Sequence, residues 1–151
     1  MNVAGEFTTA TPIAGLRALG AKPEVLERVS TLRDVRTGAG GVVHAVFTPS
    51  ISLGQIPLAT TITTLEEDET GARLRVVGRR GTQLVDVDLR MDFKSTTDGV
   101  TVVNWNAGLI VRGNAASVGQ RVARDITMRA IASVLAEAAQ VAGSAVSDAH
   151  L

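Results

Sequence analysis

The sequence predicts an α+β fold: a curved antiparallel sheet wrapped around one long C-terminal helix, with two short helices after the first strand. Three observations carry this expectation. Apolar residues alternate with a period of two through successive segments between Leu32 and Arg112, separated by Gly-, Asp- and Thr-rich turns. One long segment, from about Asn114 to Val141, has the helical period instead. Between the first strand and the alternating block, Pro12 and Pro23 each open a stretch long enough only for a short helix. Strands grouped apart from helices indicate α+β rather than alternating βαβ units.

Each element follows in order. Val3 to Thr9 reads as the first strand. Thr11 is placed to cap a helix that opens at Pro12 and runs to about Leu19. A second short helix starts near Pro23 and carries Val25, Leu26 and Val29. Leu32 to Thr37 is a strand, and Gly38 to Gly41 a turn. Val42 to Leu53 reads as a long strand, with Pro49 marking an edge or bulge. Ile56 to Glu66 follows, then Ala72 to Gly78, with Arg79-Arg80-Gly81 as the next turn. Thr82 to Lys94 has the clearest alternation. Gln83, Val85, Val87, Leu89, Met91 and Phe93 share one face, and Leu84, Asp86, Asp88, Arg90 and Asp92 the other. Asp98-Gly99 signals a hairpin into the last strand, Val100 to Arg112. On the final helix Val122, Ala123, Ile126, Thr127, Ala130, Val134 and Ala138 share one broad face, while Arg121, Arg124, Asp125 and Arg129 lie largely away from it. Residues 1–143 are expected to form one domain and 144–151 a short flexible tail.

Composition narrows the functions. A chain of 151 residues buries enough surface to need no staples, and it has no cysteine, hence no disulfide or thiolate chemistry. Formal charge is balanced, which gives no electrostatic reason for a nucleic-acid partner. No stretch is apolar enough to span a membrane, and the first residues lack a signal-peptide pattern. The expected location is the cytoplasm. Aromatics are limited to Phe7, Phe47, Phe93 and Trp105. Small residues on the helix face and few aromatics opposite leave room for a ligand, for which pockets of ~300–1,000 Å³ are typical.

Gly108 to Val122, GLIVRGNAASVGQRV, could be mistaken for a phosphate loop. Gln120 stands where a P-loop needs lysine, and no glycine follows Gly113 by two positions. The stretch reads instead as a joint: Gly113 turns the strand, Asn114 can cap the helix, and Gly119 permits close helix–sheet approach. With only His44 and His150 present, a histidine-based triad or multi-histidine metal site is not expected. His44 falls out of phase with Val43, Ala45 and Phe47 and reads as a surface residue. Asp86, Asp88 and Asp92, spaced at even intervals, read as a solvated strand face rather than a metal site.

The chain resembles the helix-grip (START-like, SRPBCC) superfamily, and within it the carbon monoxide dehydrogenase G-subunit family. The resemblance rests on Gly5-Glu6-Phe7, on Pro23-Glu24-Val25-Leu26, on Gly54-Gln55-Ile56, and on the alternating run from Thr101 to Val111 that leads into Gly113-Asn114-Ala115-Ala116-Ser117-Val118-Gly119-Gln120-Arg121. It departs from the pattern at Leu16, where an aromatic is usual, and at Val29-Ser30-Thr31, where Pro-Gly-Cys is usual. The resemblance implies a noncatalytic carrier of an apolar small molecule, a quinone (menaquinone among them) or another isoprenoid lipid. It also implies service to a molybdenum-containing carbon monoxide dehydrogenase, and transient contact with the inner face of the cell membrane. No cofactor or metal is expected.

Two alternatives stay open. One is a polyketide cyclase or dehydratase-like enzyme of the same fold, which would need an inward titratable group. The other is a structural adaptor with a filled core. The expected ligand-binding residues are Leu58, Ile62, Val87, Leu89, Met91, Trp105, Leu109, Val122, Ile126, Ala130 and Val134, with Leu16 and Leu19 at the pocket mouth, where they dip into the membrane interface.

Overall fold

A computed structural model describes residues 2–17, 19, 22–48, 50–51, 54–55, 57–113 and 120–149, with side chains for all of these except 50–51, 54–55, 120–124, 126 and 144–149. The elements in order are β1 (Asn2–Thr9), α1 (Ile13–Leu16), α2 (Pro23–Leu26), β2 (Leu32–Thr37), β3 (Val43–Phe47), β4 (Ser50–Ile51), β5 (Gly54–Gln55), β6 (Leu58–Glu67), β7 (Gly71–Arg80), β8 (Gln83–Ser95), β9 (Thr101–Arg112) and α3 (Gln120–Ala149). Seven strands form one antiparallel sheet in the order β1-β9-β8-β7-β6-β3-β2, and β4 and β5 form a separate two-stranded ribbon. The α+β helix-grip architecture is therefore as expected. β1 closes against β9, so the first strand lies beside the last rather than beside its sequence neighbour.

Register makes two rows across the concave face that matter below. One runs Gly5, Trp105, Met91, Ala72 across β1, β9, β8 and β7. The other runs Val111, Val85, Gly78, Thr60 across β9, β8, β7 and β6. Burial alternates along β8 as expected: Val87, Leu89, Met91 and Phe93 are buried, while Asp88, Arg90 and Asp92 are exposed.

The structure departs from expectation at several elements. Helix α1 ends at Leu16, one turn long. Thr11 does not cap it; Pro12 holds the N-cap position, with no side-chain cap. The Thr11 hydroxyl instead donates to the Ala139 carbonyl of α3 at 2.6 Å, and the Thr11 carbonyl accepts from the Thr101 hydroxyl at 2.9 Å. Both threonines are buried, so the tie between β1, β9 and α3 is made where water cannot compete. Gly143 makes the approach possible, since a Cβ there would lie 2.5 Å from the Thr11 hydroxyl.

The strand expected over Val42 to Leu53 stops at Phe47, and the β4–β5 ribbon follows. β7 continues through Arg79 and Arg80, and Gly81 alone supplies the left-handed turn residue, φ +59°. Gly113 has φ +86° at the end of β9, where it turns the strand as expected; Asn114 and Gly119 lie outside the described residues. α3 runs on to Ala149. Ala-rich sequence of this kind propagates a helix once begun, and no glycine pair or proline stops it.

The two halves of α3 are held differently. Leu135, Ala138, Ala139 and Ala142 are buried. Glu137 accepts from the Ser30 backbone N–H at 2.8 Å and from its hydroxyl at 3.0 Å, which fixes the α2–β2 connection to the helix. Thr127, Ala130, Ile131 and Val134, in the first half, are only half-buried, although they face the sheet.

Candidate functional site

Between the concave sheet and the first half of α3 lies a cavity of about 160 Å³. β6 contributes Leu58, Thr60 and Ile62; β7 contributes Leu74, Val76 and Gly78; β8 contributes Val85, Val87 and Leu89. Leu19, Leu26, Leu32 and Phe47 close it on one side, and Thr127, Ala130, Ile131, Val134, Leu135 and Ala138 on the helix side. Period-two alternation on three adjacent strands puts every second side chain on this wall. The wall is almost wholly apolar. Thr60 turns its hydroxyl to the Leu58 carbonyl at 3.0 Å. No carboxylate, amine, imidazole or guanidinium is among the lining residues.

Gly78 shows that the space is built in. A glycine inside a strand loses entropy and packing relative to any other residue. Its φ is not in the left-handed region, so the backbone does not require it. A Cβ there would meet nothing nearer than 3.5 Å, an ordinary contact with Leu58. What Gly78 supplies is volume. An apolar cavity of ~150 Å³ stays dry and accepts benzene, so 160 Å³ suits one ring or a few methylenes. That is below the ~300 Å³ at the lower end of typical ligand pockets. Leu26, Leu32, Leu74, Ile131 and Leu135, none of them in the expected set, also line it.

Seven of the expected residues line the cavity: Leu19, Leu58, Ile62, Val87, Leu89, Ala130 and Val134. Four do not. Leu16 and Met91, with Phe7, Phe93 and Val103, border only a void of about 10 Å³. Trp105 is 3% exposed, and its ring lies over Gly5, where a Cβ would fall 2.7 Å from it. Leu109 is buried on the concave face but off the cavity. The large side chains fill their own end of the grip, so their inward parity does not bring them to the space. Val122 and Ile126 lie on α3 with side chains outside the described residues. Leu16 and Leu19, expected at the mouth and as the membrane contact, are 3% and 6% exposed. Val76, Gly78 and Val85 could have been found by extending the alternation of β7 and β8 to their ends.

His44 and the acids of β8 sit on the convex side. His44 is half-buried, with Nδ1 3.3 Å from the Thr61 hydroxyl, and its ring occupies the space beside Gly38. Arg73 pairs with Asp88, and Arg75 with Asp86, each through two hydrogen bonds and with a closest approach of 2.8 Å. The Arg75 side-chain hydrogen bond holds the Asp86 carboxyl below the usual carboxylate range, and the Arg73 bond does the same for Asp88. Both acids are thus consumed by cross-strand pairing. Among the described residues no group of three or more His, Asp or Glu side chains could hold a metal ion, and no helix is long and apolar enough to cross a membrane.

The profile of the carbon monoxide dehydrogenase G-subunit (CoxG) family matches residues 5–143. No curated protein matches the chain by sequence. Several solved structures share its fold. A conserved protein from Geobacillus kaustophilus superposes with a TM-score of 0.79 at 15% identity, covering 92% of this chain and 93% of that one. A START superfamily protein from Mycobacterium smegmatis gives 0.69 at 9% identity, covering 96% and 98%. A protein from Thermus thermophilus gives 0.67 at 12% identity, covering 96% and 99%. Identities this low speak for the fold alone.

Proposed function

This chain belongs to the carbon monoxide dehydrogenase G-subunit family, and on that premise we propose that it is a noncatalytic carrier of an apolar small molecule, a quinone such as menaquinone or another isoprenoid lipid. The observation that carries the reading is the hydrocarbon-walled cavity, with Gly78 holding it open. An apolar wall rewards burial of hydrocarbon at ~25 cal/mol per Å² and penalises any polar atom that enters without a partner. Cargo therefore inserts a ring or an isoprene-sized segment, and its remainder leaves through the rim.

General acid–base or nucleophilic work needs a group within hydrogen-bond reach of the substrate. The lining residues offer only the Thr60 and Thr127 hydroxyls, with no acid or base among them to activate either, which favours a carrier over a cyclase or dehydratase. A cavity that exceeds several water molecules in volume favours a carrier over a filled adaptor. The cargo is taken from a membrane by transient contact and passed to a molybdenum-containing carbon monoxide dehydrogenase in the cytoplasm.

Native mass spectrometry of the purified protein tests the reading. The expected result is a copurified lipid, lost in Gly78→Leu, which fills the space. Protein that carries no lipid and takes none from liposomes containing menaquinone would overturn it.

A further inference from the structure

The concave rows end in chemistry unlike the cavity wall. Along β7 the inward positions run Leu74, Val76, Gly78 and then Arg80; along β8 they run Leu89, Val87, Val85 and then Gln83. Gly78 pairs with Val85 on the wall, and the next concave-face pair is Arg80 with Gln83. Two residues along a strand is ~7 Å, so this pair stands at the rim, one step beyond the hydrocarbon. Arg80 is exposed and has no ion pair among the described residues. From Val77 to Leu84 the hairpin contains no acid, and the nearest along β8, Asp86, is already bound to Arg75. β6 reaches the same end at Pro57 and Leu58, both uncharged. A cation left unpaired beside an apolar cavity is a complement for charge that cannot enter the cavity.

We propose that Arg80 and Gln83 form a head-group subsite, which favours, within the lipid cargo of the carrier reading, an amphiphile with an anionic head over a neutral quinone: its hydrocarbon lies between sheet and helix while the head, carboxylate or phosphate, meets the Arg80 guanidinium. This deepens the carrier reading and rests on it. The guanidinium fork gives two parallel donors to such a head, and the Gln83 amide gives a third. A neutral alcohol of the same chain length fills the cavity equally well but draws no charge-assisted bond.

Isothermal titration with octanoate, octyl phosphate and 1-octanol separates the parts. Wild type is expected to bind the two anions about five- to tenfold more tightly than the alcohol. Arg80→Gln should bring all three within about twofold of one another, since one charged hydrogen bond is lost. Arg79→Gln removes the same charge from the convex side of the strand and should keep the preference. Octanoate preferred over octyl phosphate identifies a carboxylate head, and the reverse a phosphate. Equal binding of anions and alcohol by wild type overturns the subsite while leaving the carrier reading intact, as does a preference that survives Arg80→Gln or is lost equally in Arg79→Gln. Binding of none of the three likewise overturns the subsite, while the carrier reading stands or falls separately on uptake of lipid from menaquinone liposomes.

Discussion

The two ends of the grip are built on the same parity and come out opposite. In the row Gly5–Trp105–Met91–Ala72, the two largest side chains stand side by side and the two smallest flank them, so the volume is used completely. In the row Val111–Val85–Gly78–Thr60, nothing is larger than valine, and the space stays open. The void between helix and sheet is about 10 Å³ at the first end and about 160 Å³ at the second. The helix follows the same division. Its second half is fastened by Thr11 to Ala139 and Ser30 to Glu137, while its first half lies over the cavity. One end specifies the fold and the other is free to bind.

Trp105→Ala should separate the two ends most. Truncating a buried aromatic costs about 3–5 kcal/mol. The site is closed on both sides by Gly5 and Met91, so collapse is limited. Val85→Ala, at the hollow end, removes less hydrocarbon and leaves no newly isolated cavity, and should cost about 1 kcal/mol. Denaturant unfolding of both variants checks the ordering. A Trp105→Ala midpoint no lower than that of Val85→Ala would show that the closed end does not hold the fold.

A closer contrast uses the same substitution twice. Gly5→Ala forces a methyl to within 2.7 Å of the Trp105 ring, so the indole or β1 must shift. Overpacking of this kind costs about 1–3 kcal/mol. Gly78→Ala places its methyl in ordinary contact at 3.5 Å, removes backbone freedom from the unfolded chain, and should stabilise by about 0.4–1 kcal/mol. Thermal unfolding should therefore move in opposite directions for the two variants. If both destabilise, Gly78 answers a backbone need and the cavity is incidental.

The sequence carried the fold further than the site. Alternation on β8 assigned each residue to a face correctly because one face is buried and the other charged. Parity says which side a residue takes, and nothing about depth along the strand. Trp105 and Met91 are inward, as expected, yet fill a different end from the cavity. Placing them needs the cross-strand register that seats Trp105 between Gly5 and Met91, and the chain order gives no hint that β1 joins β9. Thr11 looked like a cap because Thr-Pro is a good helix opening; a buried carbonyl on a helix 128 residues away proved the better partner. Gln83 was legible on the inward face, but Arg80 was hidden in an expected turn, since Arg-Arg-Gly reads as turn chemistry until β7 is seen to run through both arginines.

The smallest effect concerns the back of the hollow wall. Arg73 and Arg75 grip Asp88 and Asp86 on the convex side of β7 and β8, directly behind Leu74, Val76, Val87 and Leu89. The closed end has packing to hold its strands together, whereas this stretch borders empty space and relies more on its ladder. Both carboxyls are held below their ordinary value of 3.8 in the folded chain, chiefly by the arginine hydrogen bonds. A depressed folded pKa means that the contribution is complete above the unfolded value and is lost as pH falls through the folded one. Acid should therefore loosen the β7–β8 pairing only below about pH 4. The side chains of Asp88 and Asp86 are 51% and 21% exposed, so solvent screens both pairs and the change is slight. Hydrogen exchange of the β7 and β8 amides reads it locally. Wild type should lose protection there as pH falls from about 5 to about 3, once intrinsic exchange rates are divided out. Asp86→Asn with Asp88→Asn should start less protected and show a flatter response. Equal slopes in the two proteins would mean that the ladder contributes nothing, and that the wall behind the cavity stands on its backbone hydrogen bonds alone.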